Sequence, residues 1–180
     1  MSALDAVRHR RSHAGVSEAA PTREELLPLV AAAASVADHA SLHPWRLIEL
    51  RGTARDHLGD ALVSASGLVG EDAERLAVKP LRASLLIAVV AVHVPSFKVP
   101  EWEQDAVAAG VAHTLSLLLD EAGWGVMWRT GGHTRADVVR TLHGLADNEK
   151  LLGWLYVGGV IDTVRPERAA IDPADYLSVL

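Results

Sequence analysis

The chain has 180 residues, nearly half of them hydrophobic, a formal net charge of −6 at pH 7 and no cysteine. This length suits one domain with a sizeable core, so we expect a single domain over residues 1–180. The composition excludes disulfides, thiolate catalysis and cysteine-ligated metals, and the acidic balance argues against a nucleic-acid partner, which requires a basic face. No apolar run approaches the roughly 20 residues that span a bilayer, and the N-terminus has no signal-peptide core. We therefore expect a soluble, cytoplasmic protein without membrane contacts.

Helices and strands alternate irregularly along the sequence. The helices are predicted at residues 2–9, 22–37, 53–67, 71–79, 102–122 and 134–143. The strands are predicted at residues 45–51, 84–92, 123–132 and 151–160. Two helices precede the first strand, and the strands are not joined by regular single-helix crossovers. This order favours the α+β class over a doubly wound parallel sheet.

Local signals support several of these elements. Thr22 and Glu25 form a capping box at the start of the second helix, and Thr53 and Thr134 are the expected caps of two later helices. The run SLLIAVVAV over residues 84–92 is continuously apolar. Such a run is typical of a strand that is buried on both faces.

Three common enzyme signatures are missing. No G-x-G-x-x-G motif follows a strand, and the sequence contains neither a P-loop nor a G-x-S-x-G nucleophile elbow. These absences disfavour a Rossmann dinucleotide site, a P-loop nucleotide site and an α/β hydrolase.

The nine histidines raise the question of a metal site. His9 with His13, and His39 with His43, have the i, i+4 spacing that places two imidazoles on one helical face. However, Pro44 ends any helix at the second pair, and neither pair has a suitably placed acidic third ligand. We therefore expect no metal site, and a histidine-ligated metal enzyme remains an alternative.

Two clusters allow both a structural and a ligand-binding interpretation. RHRRS, residues 8–12, is either a cationic helix end that complements the helix dipole or a clamp for an anion, to which arginine offers a rigid fork. GVMWRTGG, residues 125–132, is either a buried indole before a tight turn or a backbone that approaches a flat ligand closely. Together the clusters would suit one ligand with a phosphate and a planar ring.

Six segments spread over the whole chain resemble the nitroreductase family of FMN flavoproteins, and in particular a compact branch of it. They are RRS at 10–12, PTREEL at 21–26, ADHASLHPW at 37–45, KVPEWEQ at 98–104, WRTGG at 128–132 and GWLYVGG at 153–159. The resemblance implies an α+β homodimer in which helices flank a central mixed or antiparallel sheet, with two FMN sites at the subunit interface. It also implies that the flavin carries hydride from NADH or NADPH to nitro compounds, quinones or similar acceptors.

The resemblance also assigns roles to individual residues. Those that match FMN-binding positions are Arg10, Arg11, Ser12, Ser35, His39, Trp128, Arg129 and Thr130. The first three match the segment that holds the phosphate and ribityl chain, and the last three match the segment along the isoalloxazine ring. The segment attributed to nicotinamide nucleotide contact comprises Leu118, Leu119, Asp120, Glu121, Ala122 and Gly123.

Three positions depart from the family pattern. Ser35 replaces a basic residue near the flavin, Ala40 stands where the compact branch can have lysine, and His43 stands where glutamine is common. These departures bear on FMN affinity and acceptor preference. They also keep open a second function, a non-redox module that binds flavin or another ligand with the same fold.

The family scheme places hydride transfer at flavin N5, so the protein supplies binding, orientation and electrostatics. No side chain is required as a nucleophile or base, and Arg10 and Arg129 are candidates for positive charge near the flavin N1/O2 edge. One site that serves donor and acceptor in turn implies ping-pong kinetics. The polar tail, residues 163–180, is too short for a core of its own, and we expect it to pack on the partner subunit as a domain-swapped segment.

Overall fold

The computed structural model of the protein describes residues 2–161 and 169–180. Its helices are α1 (Ala3–His9), α2 (Arg23–Ala33), α3 (Thr53–Ser66), α4 (Gly70–Ala77), α5 (Glu101–Glu121) and α6 (Asp137–Leu142). Its strands are β1 (Trp45–Leu50), β2 (Leu85–Val92), β3 (Trp124–Arg129) and β4 (Glu149–Gly159). Every predicted helix and strand is present, with ends that differ by a few residues, so the predicted α+β class is confirmed.

The start of α2 confirms the predicted capping box. The Thr22 hydroxyl accepts the Glu25 N–H at 3.2 Å, and the Glu25 carboxylate accepts the Thr22 N–H at 2.7 Å. These bonds satisfy two donors that the helix itself leaves free. The helix ends at Ala33, earlier than the predicted end near residue 37.

The two other predicted caps are wrong. Gly52 precedes α3 with a φ of 51°, a conformation that glycine adopts at little cost, and Thr53 is the first helical residue instead. Thr134 lies in a short 3₁₀ turn, Gly132–Arg135, where its hydroxyl donates to the Gly131 carbonyl at 2.8 Å. Helix α6 therefore begins only after this turn.

The four strands form one antiparallel sheet in the order β1-β2-β4-β3. In β2 every side chain over residues 85–91 is buried, which confirms the prediction from its continuous apolar run. Neighbouring side chains of a strand point to opposite faces. Accordingly, Ile87 and Val89 pack towards α2 and α5, whereas Ala88 and Val90 pack towards α3, α4 and α6.

The segment between α1 and α2 is fastened to strands β3 and β4. The His13 N–H donates to the Val126 carbonyl at 3.0 Å, and the Ser17 N–H donates to the Gly159 carbonyl at 2.9 Å. The crossing needs glycine at residue 158, because a Cβ on Gly158 would lie 2.6 Å from the Ser17 carbonyl oxygen. The residues that directly follow α1 are thereby brought beside β3.

The predicted tail, from about residue 163, begins outside the described residues. In its described part, Pro173–Asp175 forms a short 3₁₀ turn, and Tyr176 and Leu177 expose 77% and 80% of their surface. The packing of this tail on a partner stays a prediction.

Over residues 2–161 and 169–180, no helix has the length and apolar character needed to cross a membrane.

A buried histidine links α6 to β4. Nδ1–H of His143 donates to the Val139 carbonyl at 2.8 Å, and Nε2 accepts the Trp154 indole N–H at 3.0 Å. The bond from Trp154 requires the neutral imidazole, because a protonated Nε2 has no lone pair with which to accept. Burial lowers the pKa of His143 below its ordinary value, and the charge of Arg46 lowers it further.

We predict that His143 makes the protein lose stability on mild acidification. Between the lowered pKa of the folded state and the ordinary histidine value of about 6.5, the unfolded chain binds more protons than the folded one, so stability falls as pH falls. The free energy of unfolding in urea should therefore depend less on pH in His143→Gln than in the wild type, over about pH 5 to 8. Parallel pH curves for the two proteins would contradict this role.

Candidate functional site

A pocket of about 240 Å³ lies where the segment after α1 meets α5 and β3. Its lining residues are Arg10, Ser12, His113, Ser116, Val126, Trp128 and Thr130. Four of these, Arg10, Ser12, Trp128 and Thr130, were predicted to bind a cofactor. The fold therefore brings the two predicted clusters to one place.

Arg11 does not line this pocket. Its guanidinium turns back over the C-terminal end of α1 and donates to the carbonyls of Arg8, His9 and Arg10 at 2.6, 3.3 and 3.0 Å. A cationic donor in this place satisfies carbonyls that the last turn of a helix leaves free. The helix-end interpretation thus holds for Arg11, whereas Arg10 and Ser12 line the pocket.

The sequence prediction missed two polar residues of the pocket, His113 and Ser116, which lie on α5. The rings of His113 and Trp128 meet edge to face with centres 5.0 Å apart, and the Ser116 hydroxyl donates to the Ala112 carbonyl at 2.7 Å. Residues at i and i+3 share one face of a helix. A polar pair at this spacing in the largely apolar stretch of α5 over residues 106–119 was the signal that could have identified them.

Trp128 carries a buried hydrogen-bond donor without an acceptor. Its indole Nε1 is shielded from solvent and has no partner among the described residues. The indole packs against Gly153, where φ is 134° and a Cβ would lie 2.9 Å from Nε1. Leaving a buried donor unpaired costs about 1–3 kcal/mol, and this close packing against Gly153 fixes the indole in the wall of the pocket.

A second pocket, of about 330 Å³, adjoins the first at Thr130. Its lining residues are Leu62, Leu76, Lys79, Arg82, Arg129, Thr130, Gly131, His133, Trp154 and Tyr156. Lys79, Arg82 and Arg129 make it cationic, and none of them forms a salt bridge with a carboxylate of the described residues. The pocket therefore favours a ligand, or an edge of a ligand, that carries negative charge.

Arg129 is held by neutral groups. Its guanidinium lies 5.2 Å from the centre of the Tyr156 ring and donates to the Ala14 carbonyl at 3.3 Å. Its Nε is buried without a partner in the described part of the chain. Burial raises the pKa of the Tyr156 phenol, although the charges of Arg129 and Arg82 act in the opposite direction. The phenol beside Arg129 therefore stays neutral and does not offset its charge.

Ser35 and His39, also predicted to bind the cofactor, do not line either pocket. The Ser35 hydroxyl donates to the Ala32 carbonyl at 2.7 Å at the end of α2. His39 is exposed, and its Nδ1 lies 3.0 Å from the Glu103 carboxylate of α5. Within a single chain, these two residues therefore do not lie in the pocket that Arg10 lines.

The loop around His39 has an unusual backbone. Ala40, Ser41 and His43 have positive φ values of 65°, 51° and 48°, a conformation that is costly for residues with a side chain. Asp38 holds the loop by accepting the His43 N–H at 2.7 Å. Backbone strain that a specific side chain maintains is typical of ligand-binding loops.

Residues 118–123, predicted to contact a nicotinamide nucleotide, form the end of α5 and the turn after it. Leu119 is fully buried, whereas Glu121 is exposed. Asp120 turns towards the segment after α1, where its Oδ1 accepts the Arg11 N–H at 3.4 Å. Only the exposed part of this segment is open to a ligand.

The described residues offer no metal centre. Across residues 2–161 and 169–180, no three or more His, Cys, Asp or Glu side chains are placed to hold an ion. His9 is bonded to the Asp5 carbonyl through Nδ1 at 2.7 Å, and Nε2 of His13 lies 3.6 Å from Asp120. The histidine-ligated alternative therefore gains no support from this part of the chain.

Comparison with known proteins identifies the class. The model of the nitroreductase family matches residues 7–159, and the chain belongs to that family. The Escherichia coli (strain K12) protein named "Putative NAD(P)H nitroreductase YdjA" is 33% identical to it over 161 residues, which cover 88% of each chain. The predicted family and its compact branch are thereby confirmed.

Solved structures share the fold. A nitroreductase-like family protein from Bacillus cereus matches with a TM-score of 0.87 at 21% identity, over 100% of this chain and 96% of that one. The FMN and NADPH-dependent nitroreductase NfnB from Sphigopyxis sp. strain HMH matches with a TM-score of 0.77 at 16% identity, over 100% and 99% of the two chains. These likenesses establish the predicted nitroreductase-type fold.

Proposed function

We propose that the protein is an FMN-dependent oxidoreductase that transfers hydride from NADH or NADPH to nitro compounds, quinones or similar acceptors. The pocket in which Arg10, Ser12, Trp128 and Thr130 meet carries this proposal. The family resemblance gives all four residues FMN roles, and the fold unites them. The relatives' names support it, since one contains "NAD(P)H nitroreductase" and another "FMN and NADPH-dependent".

The residues of the pocket fit FMN. Arg10 and Ser12 supply a guanidinium and a hydroxyl for a phosphate, and the Trp128 indole supplies an aromatic wall of the same pocket. When bound, FMN supplies the hydride chemistry itself. The side chains of the protein then bind and orient the reactants, and none is needed as a nucleophile or base.

The cationic pocket supports the electrostatic part of the proposal. Lys79, Arg82 and Arg129 lie close to Thr130, which both pockets share. Positive charge beside a flavin stabilises its electron-rich reduced form. Arg129 was predicted as a source of such charge, whereas Lys79 and Arg82 become candidates only through the fold.

We further propose that the working unit is a homodimer. Ser35 and His39 do not line the pocket of their own chain, so a second chain would bring these residues to the cofactor. Leu4 and Val7 of α1 expose 57% and 54% of their surface and provide apolar area for the contact. The tail over residues 163–180 is proposed to pack on the partner as an exchanged segment.

The first test is the visible spectrum of the purified protein after titration with FMN. We expect flavin absorbance that bleaches with NADH or NADPH under nitrogen and returns with a quinone. Initial rates should give parallel double-reciprocal lines, as ping-pong turnover requires. Bound flavin that neither nucleotide bleaches would support the non-redox alternative, and a protein that takes up no FMN would overturn the proposal.

Arg10→Ala is expected to weaken FMN binding by roughly tenfold or more, because a hydrogen bond to a charged group contributes roughly 1.5–3 kcal/mol. Arg11→Ala is the matched comparison. It should weaken FMN binding less than Arg10→Ala does, and it should lower thermal stability, because the Arg11 guanidinium caps α1. Titration of the apo-proteins, followed by flavin fluorescence, measures both affinities. Equal losses of affinity would contradict this division of roles.

Arg82→Met is expected to lower the reduction potential of the bound flavin. Removing a cation that has no acidic partner in the described residues makes added electron density less favourable. Arg75→Met is the control, because Arg75 is exposed on α4 and pairs with Glu71 at 3.0 Å. Equilibration with a reference dye measures the potential, and an unchanged value in Arg82→Met would remove Arg82 from the electrostatics of the site.

A further inference from the structure

An acidic residue stands at the unfavourable end of the longest helix. Asp120 is the last residue but one of α5, which has no basic residue in its last turn. A negative charge in this place faces free carbonyls and the negative end of the helix dipole. Its side chain is only 19% exposed, so water relieves little of this repulsion, and other groups must compensate.

The compensating groups belong to the segment after α1. Oδ1 of Asp120 accepts the Arg11 N–H at 3.4 Å and lies 3.6 Å from Nε2 of His13, a buried imidazole. His13 is itself fixed to the sheet, because its N–H donates to the Val126 carbonyl at 3.0 Å. One carboxylate thus ties the end of α5 to the residues on both sides of Ser12.

This tie determines which side chains face the pocket. In an extended segment, successive side chains point to opposite sides. Arg11 is held through its N–H by Asp120 and through its guanidinium over the end of α1. Its neighbours Arg10 and Ser12 therefore point the other way and line the pocket. Loss of the backbone anchor would let the segment rotate and withdraw both side chains.

We propose that Asp120 is a positioning residue for the FMN phosphate, which holds the segment after α1 so that Arg10 and Ser12 are presented to it. The inference rests on the proposed function. It gives Asp120 a role different from the nicotinamide nucleotide contact that the resemblance implies for residues 118–123. Asp120 acts through the backbone of Arg11 and touches neither cofactor nor substrate.

The main experiment measures FMN affinity in three full-length variants. Asp120→Ala should raise the FMN dissociation constant about tenfold, the loss typical of one hydrogen bond to a charged group. Asp120→Asn should recover most of this loss, because the amide oxygen still accepts the Arg11 N–H. Asp60→Ala removes an exposed acid of α3 and should leave the affinity unchanged. Thermal unfolding of each apo-protein shows whether the fold is intact.

A second readout does not involve the flavin. In the apo-protein, hydrogen exchange of the Arg11 amide should accelerate in Asp120→Ala, because this N–H loses its acceptor. Exchange should remain slow in Asp120→Asn and in Asp60→Ala. An unchanged rate in Asp120→Ala would show that the carboxylate does not hold the segment and would overturn the inference.

Steady-state kinetics at saturating FMN separates the two roles of Asp120. A positioning role leaves the KM for NADPH at the wild-type value in Asp120→Ala. A raised KM together with unchanged FMN affinity would overturn the inference in favour of nucleotide contact. If the wild type binds no FMN, the proposed function fails and the inference fails with it. If the wild type binds FMN and Asp120→Ala binds it equally well, only the positioning role of Asp120 fails.

Discussion

The burial of β2 on both faces is the constraint on which the rest of the structure depends. Its side chains are removed from solvent over residues 85–91, and an apolar strand of this kind requires cover on both sides of the sheet. Helices α2 and α5 provide it on one side, and α3, α4 and α6 provide it on the other. With both faces covered, four of the residues predicted to bind the cofactor gather at the end of β3, where Thr130 belongs to both pockets.

The distribution of charge favours binding of an anionic ligand at the same two pockets. The chain is acidic overall, with a formal net charge of −6, yet among the described residues the two pockets are lined by Arg10, Lys79, Arg82 and Arg129 and by no Asp or Glu. Salt screens distant surface charges beyond about 8–10 Å, whereas lining cations act at contact distance. An acidic protein can therefore still hold an anionic ligand at this position.

The parts of the fold with local causes were predictable, such as β2 from its apolar run and α2 from its capping box. The caps of α3 and α6 were not, because Gly52 offers a positive φ and Thr134 bonds within a turn of its own. The candidate site also combines features that local sequence predicts with features that it does not. RHRRS left a helix end and an anion clamp both open, and the contact that fixes the Arg11 backbone comes from Asp120, which lies 109 residues from Arg11. A pairing over this distance leaves no local pattern to recognise.

Residues 13–17 cross β3 and β4, and this crossing makes the pocket depend on contacts that are expected to close late in folding. Ser17 pairs with Gly159, the last residue of β4. Contacts between such distant segments close late, because the entropy of the intervening chain must be lost first. A nascent chain still lacking β4 can form neither this closure nor the pocket beside it. Retention of ligand would therefore report a chain that is made and folded at least through β4, and added ligand would select such molecules from a mixture with chains truncated before β4.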